Sequence, residues 1–358
     1  MNPHEHELVY PWPDVPALGT VTGLRPGLFW LRMGLPFALD HINLWLLEDE
    51  IDGRRGWTAV DTGITSDETR AAWEQLFDTA FEGLPLLRLI STHFHPDHFG
   101  FAWWLVAGGD KKRWQAPLWM TATEYSYGRF LSRAAGDAAG EAAAAHFQRH
   151  GLRDAETLSR VRKRGGEHYR KLVPDVPSAY RRIMEGDEIA IGRHGAKRVF
   201  RIIVGYGHAP EHASLFCAEE KLLVAGDMVL PRISTNVSVF ELEPEGDPLP
   251  LYLRSIDRYL RLPADTLVLP SHGKPFIGLH ARVGQQHAHH AARLAEVQAA
   301  CARPSTAVDI LPVLFKRELD LHQTTFALGE SLAHLHALWY EGRVRRQMDG
   351  GIYRFVAE

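Results

Sequence analysis

Short apolar runs broken by charged or glycine-rich turns fill the first 120 residues and return after residue 185. Residues 43–47 and 57–60 read as paired strands joined by a charged turn at Asp52-Gly53. Residues 84–90 form an apolar run of the kind a buried strand needs, and residues 101–106 read as the start of a helix. Residues 66–77 predict a helix, with Ser66 as cap and the acidic Asp67 and Glu68 in its first turn. Further strands are expected at 117–120, 188–191, 199–204, 222–224 and 266–269, and helical spacing recurs at Leu253, Ile256, Tyr259 and Leu260. Residues 1–30, with Tyr10, Pro11, Trp12 and Pro13, are expected to wrap the surface before the first strand.

Two regions depart from this alternation. Residues 121–182 are polar, rich in alanine at 142–145 and strong in helix formers, so they read as an inserted helical subdomain. Tyr125, Tyr127 and Phe130 either line an entrance beneath it or pack within it. After a long helix at 280–301, the tail carries helices at 308–315 and 323–340, a turn at Asp349-Gly350-Gly351 and a strand at 352–355. Leu328, Leu332, Leu335 and Trp339 share one helical face. Helices followed by a hairpin make a winged helix.

Composition narrows the class. The 358 residues are 45% hydrophobic and 23% charged, ordinary for a globular protein long enough for more than one domain. No apolar run approaches the roughly 18–20 residues a membrane span requires. The first seven residues have neither a basic start nor an apolar core, so no signal peptide is expected. Two distant cysteines, Cys217 and Cys301, suggest no disulfide framework, and a cytoplasmic location is the default. The formal charge is −4, yet Lys and Arg outnumber Asp and Glu between residues 110 and 185. That excess is either a solvated helical face or a positive lid drawing an anionic substrate inward.

The chemistry concentrates in Thr92-His93-Phe94-His95-Pro96-Asp97-His98, after the strand at 84–90. Neutral imidazole and carboxylate suit zinc, and also iron or manganese. His93 and His95, two apart, can hold one ion, while Asp97 and His98 face elsewhere and can hold a second. The competing reading is a polar surface loop with histidines by chance. Four further segments each follow a short apolar run: Asp61-Thr62-Gly63, Gly207-His208-Ala209-Pro210-Glu211-His212, Gly226-Asp227 and Ser271-His272-Gly273. Asp61 either accepts an N–H from a metal-bound imidazole or bonds its own turn. His280, His287, His289 and His290 lack acidic or cysteine partners, which disfavours a metal site there.

These motifs, in this order, resemble the metallo-β-lactamase superfamily, and within it a glyoxalase II-like, winged-helix-tailed subgroup. The resemblance implies an α+β fold, an αββα sandwich with a helical insertion and a C-terminal winged-helix domain. Residues 1–280 would form the catalytic domain, with its insertion at about 121–182, and residues 281–358 a linker helix plus the winged helix. It also implies two divalent ions per chain, zinc first, with iron or manganese as alternatives. His93, His95 and His208 would hold one, Asp97, His98 and His272 the other, and Asp227 would bridge them. His208 is preferred to His212 because the family's ligand is the first histidine of G-H-[ST]-P-G-H; here Ala209 and Glu211 replace the hydroxyl and the glycine. Asp97 and Asp227 would be the catalytic carboxylates. A hydroxide shared by the ions, with its pKa lowered toward ~7, would attack the substrate.

The substrate implied is a cytosolic small molecule, anionic if the positive lid is real, with an ester, thioester or lactone carbonyl. Departures weaken closer parallels. Gly226-Asp227-Met228-Val229-Leu230 differs from the Gly-Asp-Thr-Leu-Phe of glyoxalase II-like thioesterases, and Leu230 lies where acyl-homoserine-lactone lactonases carry tyrosine. The alternative is a phosphodiesterase or endoribonuclease using the winged helix on nucleic acid. Residues 323–340 contain no Lys or Arg, however, and the only basic cluster of the tail from 305 to 358 is Arg343, Arg345 and Arg346, so nucleic acid is disfavoured. Packing or homodimerisation is the preferred role for that tail. A non-catalytic metal-holding scaffold is the third reading.

Overall fold

The computed structural model of the protein describes residues 2–134 and 137–358. Thirteen strands form two sheets laid face to face. The first contains β1 (Thr22–Arg25), β2 (Leu28–Gly34), β3 (His41–Ile51), β4 (Arg54–Val60), β5 (Leu86–Ile90), β6 (Leu118–Met120) and β7 (Arg181–Arg182), in that order. The second contains β8 (Glu188–Ile191), β9 (Arg198–Gly205), β10 (His212–Cys217), β11 (Leu222–Gly226), β12 (Leu267–Pro270) and β13 (Phe276–Ile277), also in chain order. Trp30, Trp45, Val60 and Ile90 of the first sheet meet Phe200, Ile202, Val224 and Leu269 of the second in one buried cluster.

Helices cover both outer faces, completing the αββα sandwich. Helix α1 (Asp67–Asp78) is capped as expected, with the Thr69 N–H donating to Ser66 Oγ at 3.0 Å. It packs Trp73 and Phe77 beside Trp104 of α3 (Ala102–Val106); the short α2 (Pro96–Phe99) precedes α3. On the far side, α7 (Pro248–Asp257) and α8 (Leu279–Ala300) bury Tyr252, Ile256 and Val283 against Leu223 and Val268.

The expected insertion at 121–182 is mainly helical, with α4 (Ala122–Arg133), α5 (Asp137–Arg149) and α6 (Ala155–Leu172). Residues 135 and 136 lie outside the described part, and its last two residues, Arg181 and Arg182, belong instead to β7 of the first sheet. The tail folds as α9 (Ala307–Leu314) and α10 (Leu321–Tyr340), then a hairpin of β14 (Val344–Asp349) and β15 (Ile352–Ala357). Leu328, Leu332 and Leu335 are fully buried. They share a core with Phe147 of α5, so tail and insertion brace each other.

Two expectations are corrected. Residues 1–30 do not merely wrap the surface: β1 and the start of β2 lie there, and Leu28 and Trp30 are fully buried. Helix α1 and the second sheet cover β2 from opposite sides, so its burial lacks the strict alternation that marks a one-sided strand. Strand β10, unforeseen from sequence, is buried along its length for the same reason.

Strands β4 and β5 run parallel, as do β11 and β12. Strand β9 is antiparallel to β10, and β10 to β11, so β9 also runs with β11. The carboxyl ends of these strands therefore gather at one edge, where open α/β sheets place their ligands. Backbone bonds join the sheets there, from Ala213 N–H to Thr92 O at 2.8 Å and from Asn43 N–H to Ser271 O at 2.6 Å.

Candidate metal centre

Each segment singled out in the sequence lies just past one of those strand ends. Asp61 follows β4, residues 93–98 follow β5, His208 follows β9, Asp227 follows β11 and His272 follows β12. The convergence produces two clusters, His93, His95, His208 and Asp227 in one, and Asp97, His98 and His272 in the other. Within each, one nitrogen or oxygen per residue lies within 4.8 Å of the rest.

Hydrogen bonds around the clusters set the imidazole tautomers. His208 Nδ1 donates to the Asn236 carbonyl at 2.7 Å, and His272 Nδ1 to the His41 carbonyl at 2.7 Å. His98 Nδ1 donates to Asp61 Oδ2 at 2.8 Å. The Thr92 hydroxyl donates to Asp61, which leaves its oxygen to accept from His93 Nδ1 at 3.0 Å. All four rings therefore turn Nε2 inward, and His95 presents Nδ1 to His93 Nε2 at 2.9 Å. His93 Nε2 and His208 Nε2, both acceptors by this assignment, face each other at 3.2 Å. A cation between them satisfies both lone pairs.

Asp227 stands between the clusters. Its Oδ2 is 3.5 Å from His208 Nε2, while its Oδ1 is 3.5 Å from His98 Nε2 and 3.4 Å from His272 Nε2. Asp97 Oδ2 lies 3.4 Å from the same His272 nitrogen. Two ligand atoms each about 2.0–2.1 Å from one tetrahedral ion lie about 3.3–3.4 Å apart, so these spacings suit ions held by both groups. His98 Nε2 and Asp227 Oδ1 are buried with no hydrogen-bond partner. The donor set and its orphaned atoms fit metal.

The electrostatics agree. Burial keeps His93 well below the usual imidazole range and His95 at about 3, so both rings stay neutral, as ligands must. Burial also opposes charge on His272, but Asp227 and Asp97 outweigh it and push that ring up to about 10. Asp97, Asp61 and Asp227 likewise raise His98 against its burial. Carboxylates that draw protons so strongly onto neighbouring rings draw a dication for the same reason.

Of the two readings of Asp61, the bond to His98 is present, and Oδ1 also accepts the Thr92 N–H at 2.8 Å. Its backbone is left-handed, φ 63°, which aspartate tolerates better than most residues. His212 lies behind the site, where its Nε2 accepts the Asp227 N–H at 3.1 Å. Gly226 makes that approach possible, since a Cβ there would sit 2.2 Å from the same nitrogen.

Sequence reasoning missed the framing groups: Thr92, Glu124 on α4, and the carbonyls of His41 and Asn236. Thr92 opens the histidine motif but is no ligand type, the others belong to no motif, and the proximity of all four to the ligand rings exists only in three dimensions. Tyr127 lines the cavity over the site, whereas Tyr125 is buried and stacked on Tyr180 at 3.9 Å, and Phe130 is exposed elsewhere. The acidic loop near residue 240 reaches the cavity through Glu241 and Glu243. The histidines of α8 are engaged otherwise: His287 pairs with Asp257 at 2.6 Å, and His290 meets His334 at 3.2 Å.

Comparison with known proteins matches residues 39–272 to the family model described as the metallo-beta-lactamase superfamily. Residues 294–358 match the model of a metallo-beta-lactamase-like C-terminal domain. A beta-lactamase domain protein from Burkholderia ambifaria is 53% identical, with a TM-score of 0.93 and 99% of each chain covered. A metallo-beta-lactamase family protein from Thermus thermophilus is 30% identical, with a TM-score of 0.74, over 94% of this chain and 100% of that one. The probable metallo-hydrolase YqjP of Bacillus subtilis is 28% identical over 158 residues, 42% of this chain and 47% of YqjP. That match spans less than half of the curated relative. No described helix is long and apolar enough to cross a membrane.

Proposed function

From a chain that belongs to the metallo-beta-lactamase superfamily, we propose a binuclear metal-dependent hydrolase acting on an ester, thioester or lactone carbonyl. The observation that carries the reading is Asp227, whose two oxygens face two separate histidine clusters. His93, His95 and His208 would hold one ion and Asp97, His98 and His272 the other, with Asp227 shared. The all-nitrogen-and-oxygen ligand set and its near-tetrahedral spacing favour zinc.

When bound, such a pair of ions supplies water ionised near neutral pH and a Lewis acid for the developing oxyanion. The protein's own groups do the rest. The carbonyls of Asn236 and His41 and the carboxylate of Asp61 aim the imidazoles, so that no ligand has to reorganise during turnover. His212 holds the Asp227 backbone. Asp97 lines the cavity, and although burial opposes it, His98 and His272 keep its carboxyl at about 2. It is thus ionised at working pH and placed to take a proton from the attacking water. The water oxygen bonds to the acyl carbon, the C–O or C–S bond breaks, and the alcohol or thiol leaves with a proton.

Engagement of the basic cluster favours a carbonyl substrate over RNA. Arg346 is stacked between Trp339 and Tyr353 and paired with Glu245, Arg343 bonds Gln298 and Glu341, and Arg345 lies 3.6 Å from Glu358. The test is elemental analysis beside a chelator-sensitive panel of thioesters, lactones, phosphodiesters and RNA. About two metals per chain with carbonyl turnover is the expected result. Cleavage of RNA alone would replace this reading with the nuclease, and absence of stoichiometric metal would remove both.

A further inference from the structure

Above the clusters lies a cavity of about 1530 Å³, larger than the roughly 300–1,000 Å³ usual for small-molecule sites. His95, Asp97, His208, Asp227 and His272 form its floor. Its walls come from four separate parts of the chain. Leu35 stands beside the β2–β3 connection, Leu131 and Leu172 come from the insertion, Phe240 and Leu251 from the stretch around α7, and Phe326 from α10. Neither the insertion nor the tail supplies a candidate ligand, yet both contribute apolar wall.

The charges around that wall are mostly negative. Glu241, Glu243, Asp247 and Asp320 line it, together with Glu330, whose carboxyl burial pushes up to about 7. Of the arginines that reach it among the described residues, Arg160 pairs with Glu156, and Arg317 donates to Gln323 at 2.6 Å. Within the lysine- and arginine-rich stretch at 110–185, Lys111 and Arg113 pair with Asp78, and Arg162 with Glu141, none of them lining the cavity. Tyr206, Leu242, Leu251 and Phe326 are each more than a third exposed, and all four line this one cavity. Large apolar side chains held in water around a metal-ligand floor mark a surface that a ligand covers.

We propose that this cavity is an acyl-chain site, and that the substrate is an ester or thioester of a long, uncharged aliphatic acid. The assignment rests on the hydrolase reading for the position of the scissile carbonyl at the floor. The chain extends from there across Phe240, Leu251 and Phe326, where each buried methylene adds binding energy. The acidic residues around it disfavour acyl groups ending in a carboxylate or phosphate.

The test uses the purified metal-loaded enzyme and p-nitrophenyl esters from acetyl to dodecanoyl, with the glutaryl ester as an anionic control. The kcat/KM is expected to rise roughly two- to fourfold per added methylene until the cavity fills, mainly through KM. The glutaryl ester should fall about tenfold or more below the pentanoyl ester. Leu251→Asp should cut the dodecanoyl-to-acetyl ratio of kcat/KM by about tenfold. A flat series, a preference for glutaryl or an unchanged ratio overturns the acyl site while leaving the hydrolase reading intact. If no p-nitrophenyl ester is cleaved, the panel of thioesters and lactones decides the hydrolase reading separately, and calorimetric titration with uncharged ketones decides the site. Binding of 2-undecanone about tenfold or more tighter than 2-butanone sustains it; equal or absent binding removes it.

Discussion

Glu124 and Glu211, two carboxylates from distant parts of the chain, tie their two segments together: Glu124 secures the Glu211 backbone, and Glu211 the backbone of Thr123 beside Glu124. Glu124 Oε1 accepts the Glu211 N–H at 2.6 Å, and Glu211 Oε2 accepts the Thr123 N–H at 3.0 Å in the first turn of α4. Glu124 Oε2 takes the Phe94 N–H at 2.9 Å, between the proposed ligands His93 and His95. One side chain of the insertion thus ties the H-x-H loop to the loop carrying His208. Glu211, which replaces a glycine of the family pattern, is engaged in this tie.

Replacing Glu124 by Gln leaves one of the two backbone donors facing an amide NH2. Zinc affinity, measured by chelator competition, is expected to weaken by about 10–100-fold, and the melting temperature to fall because a buried N–H loses its acceptor. A lower melting temperature with undiminished zinc affinity would reduce Glu124 to a structural role.

At Asp61 the amide and the methyl side chains separate two contributions. Asp61→Asn keeps a residue suited to φ 63° but replaces the anion beside His98, so metal affinity should drop about 10–100-fold with little loss of stability. Asp61→Ala should lose affinity similarly and about 1–2 kcal/mol of stability besides, from the left-handed backbone. Equal denaturation midpoints for the two variants would refute the backbone contribution.

Buried neutral histidines make the protein sensitive to acid. Burial lowers His146 and His334 to about 4 and His290 to about 2. Below about pH 6.5 the unfolded chain takes up protons that the folded chain refuses, so stability falls as pH drops toward the folded values. Each ring costs roughly 1 kcal/mol per pH unit in that window. His334→Gln should therefore lose about 1 kcal/mol less than the wild type between pH 7.5 and 5.5 in urea titrations with excess zinc. An identical loss in both proteins would count against His334 as a source.

Arg346 lies 3.7 Å from the Trp339 ring centre and 4.5 Å from that of Tyr353, and it forks onto Glu245 at 3.1 and 2.8 Å. Arg346→Ala should cost about 1–3 kcal/mol, and Lys should rescue little, because it neither stacks nor forks in the same way. Calorimetric melting of the three proteins checks this. Unchanged stability together with a loss of RNA binding would assign the arginine to nucleic acid instead.

Much of this protein was determined locally. The order of most elements follows from short apolar runs and their turns, and the fold class from the motifs that resemble the metallo-β-lactamase superfamily. The ligand candidates His93, His95, Asp97 and His98 are legible because one strand end brings them within six positions. The cap at Ser66 and the apolar face of α10 are likewise decided by residues a few positions apart. Strands β2 and β10 escaped because burial on both faces erases the alternation that identifies a strand. The sequence pattern at Thr121 and Glu124 could even mislead: threonine followed three positions later by glutamate is the signature of a helix cap. Thr121 Oγ1 instead donates to the Glu211 carbonyl at 2.8 Å, and Glu124 reaches Phe94 and Glu211. Only the tertiary structure settled the tautomers, the way Asp227 faces both clusters, and the cavity wall shared by the insertion and the tail. Those properties depend on distances between groups tens to hundreds of residues apart, which the packing of two sheets sets and which no local pattern encodes.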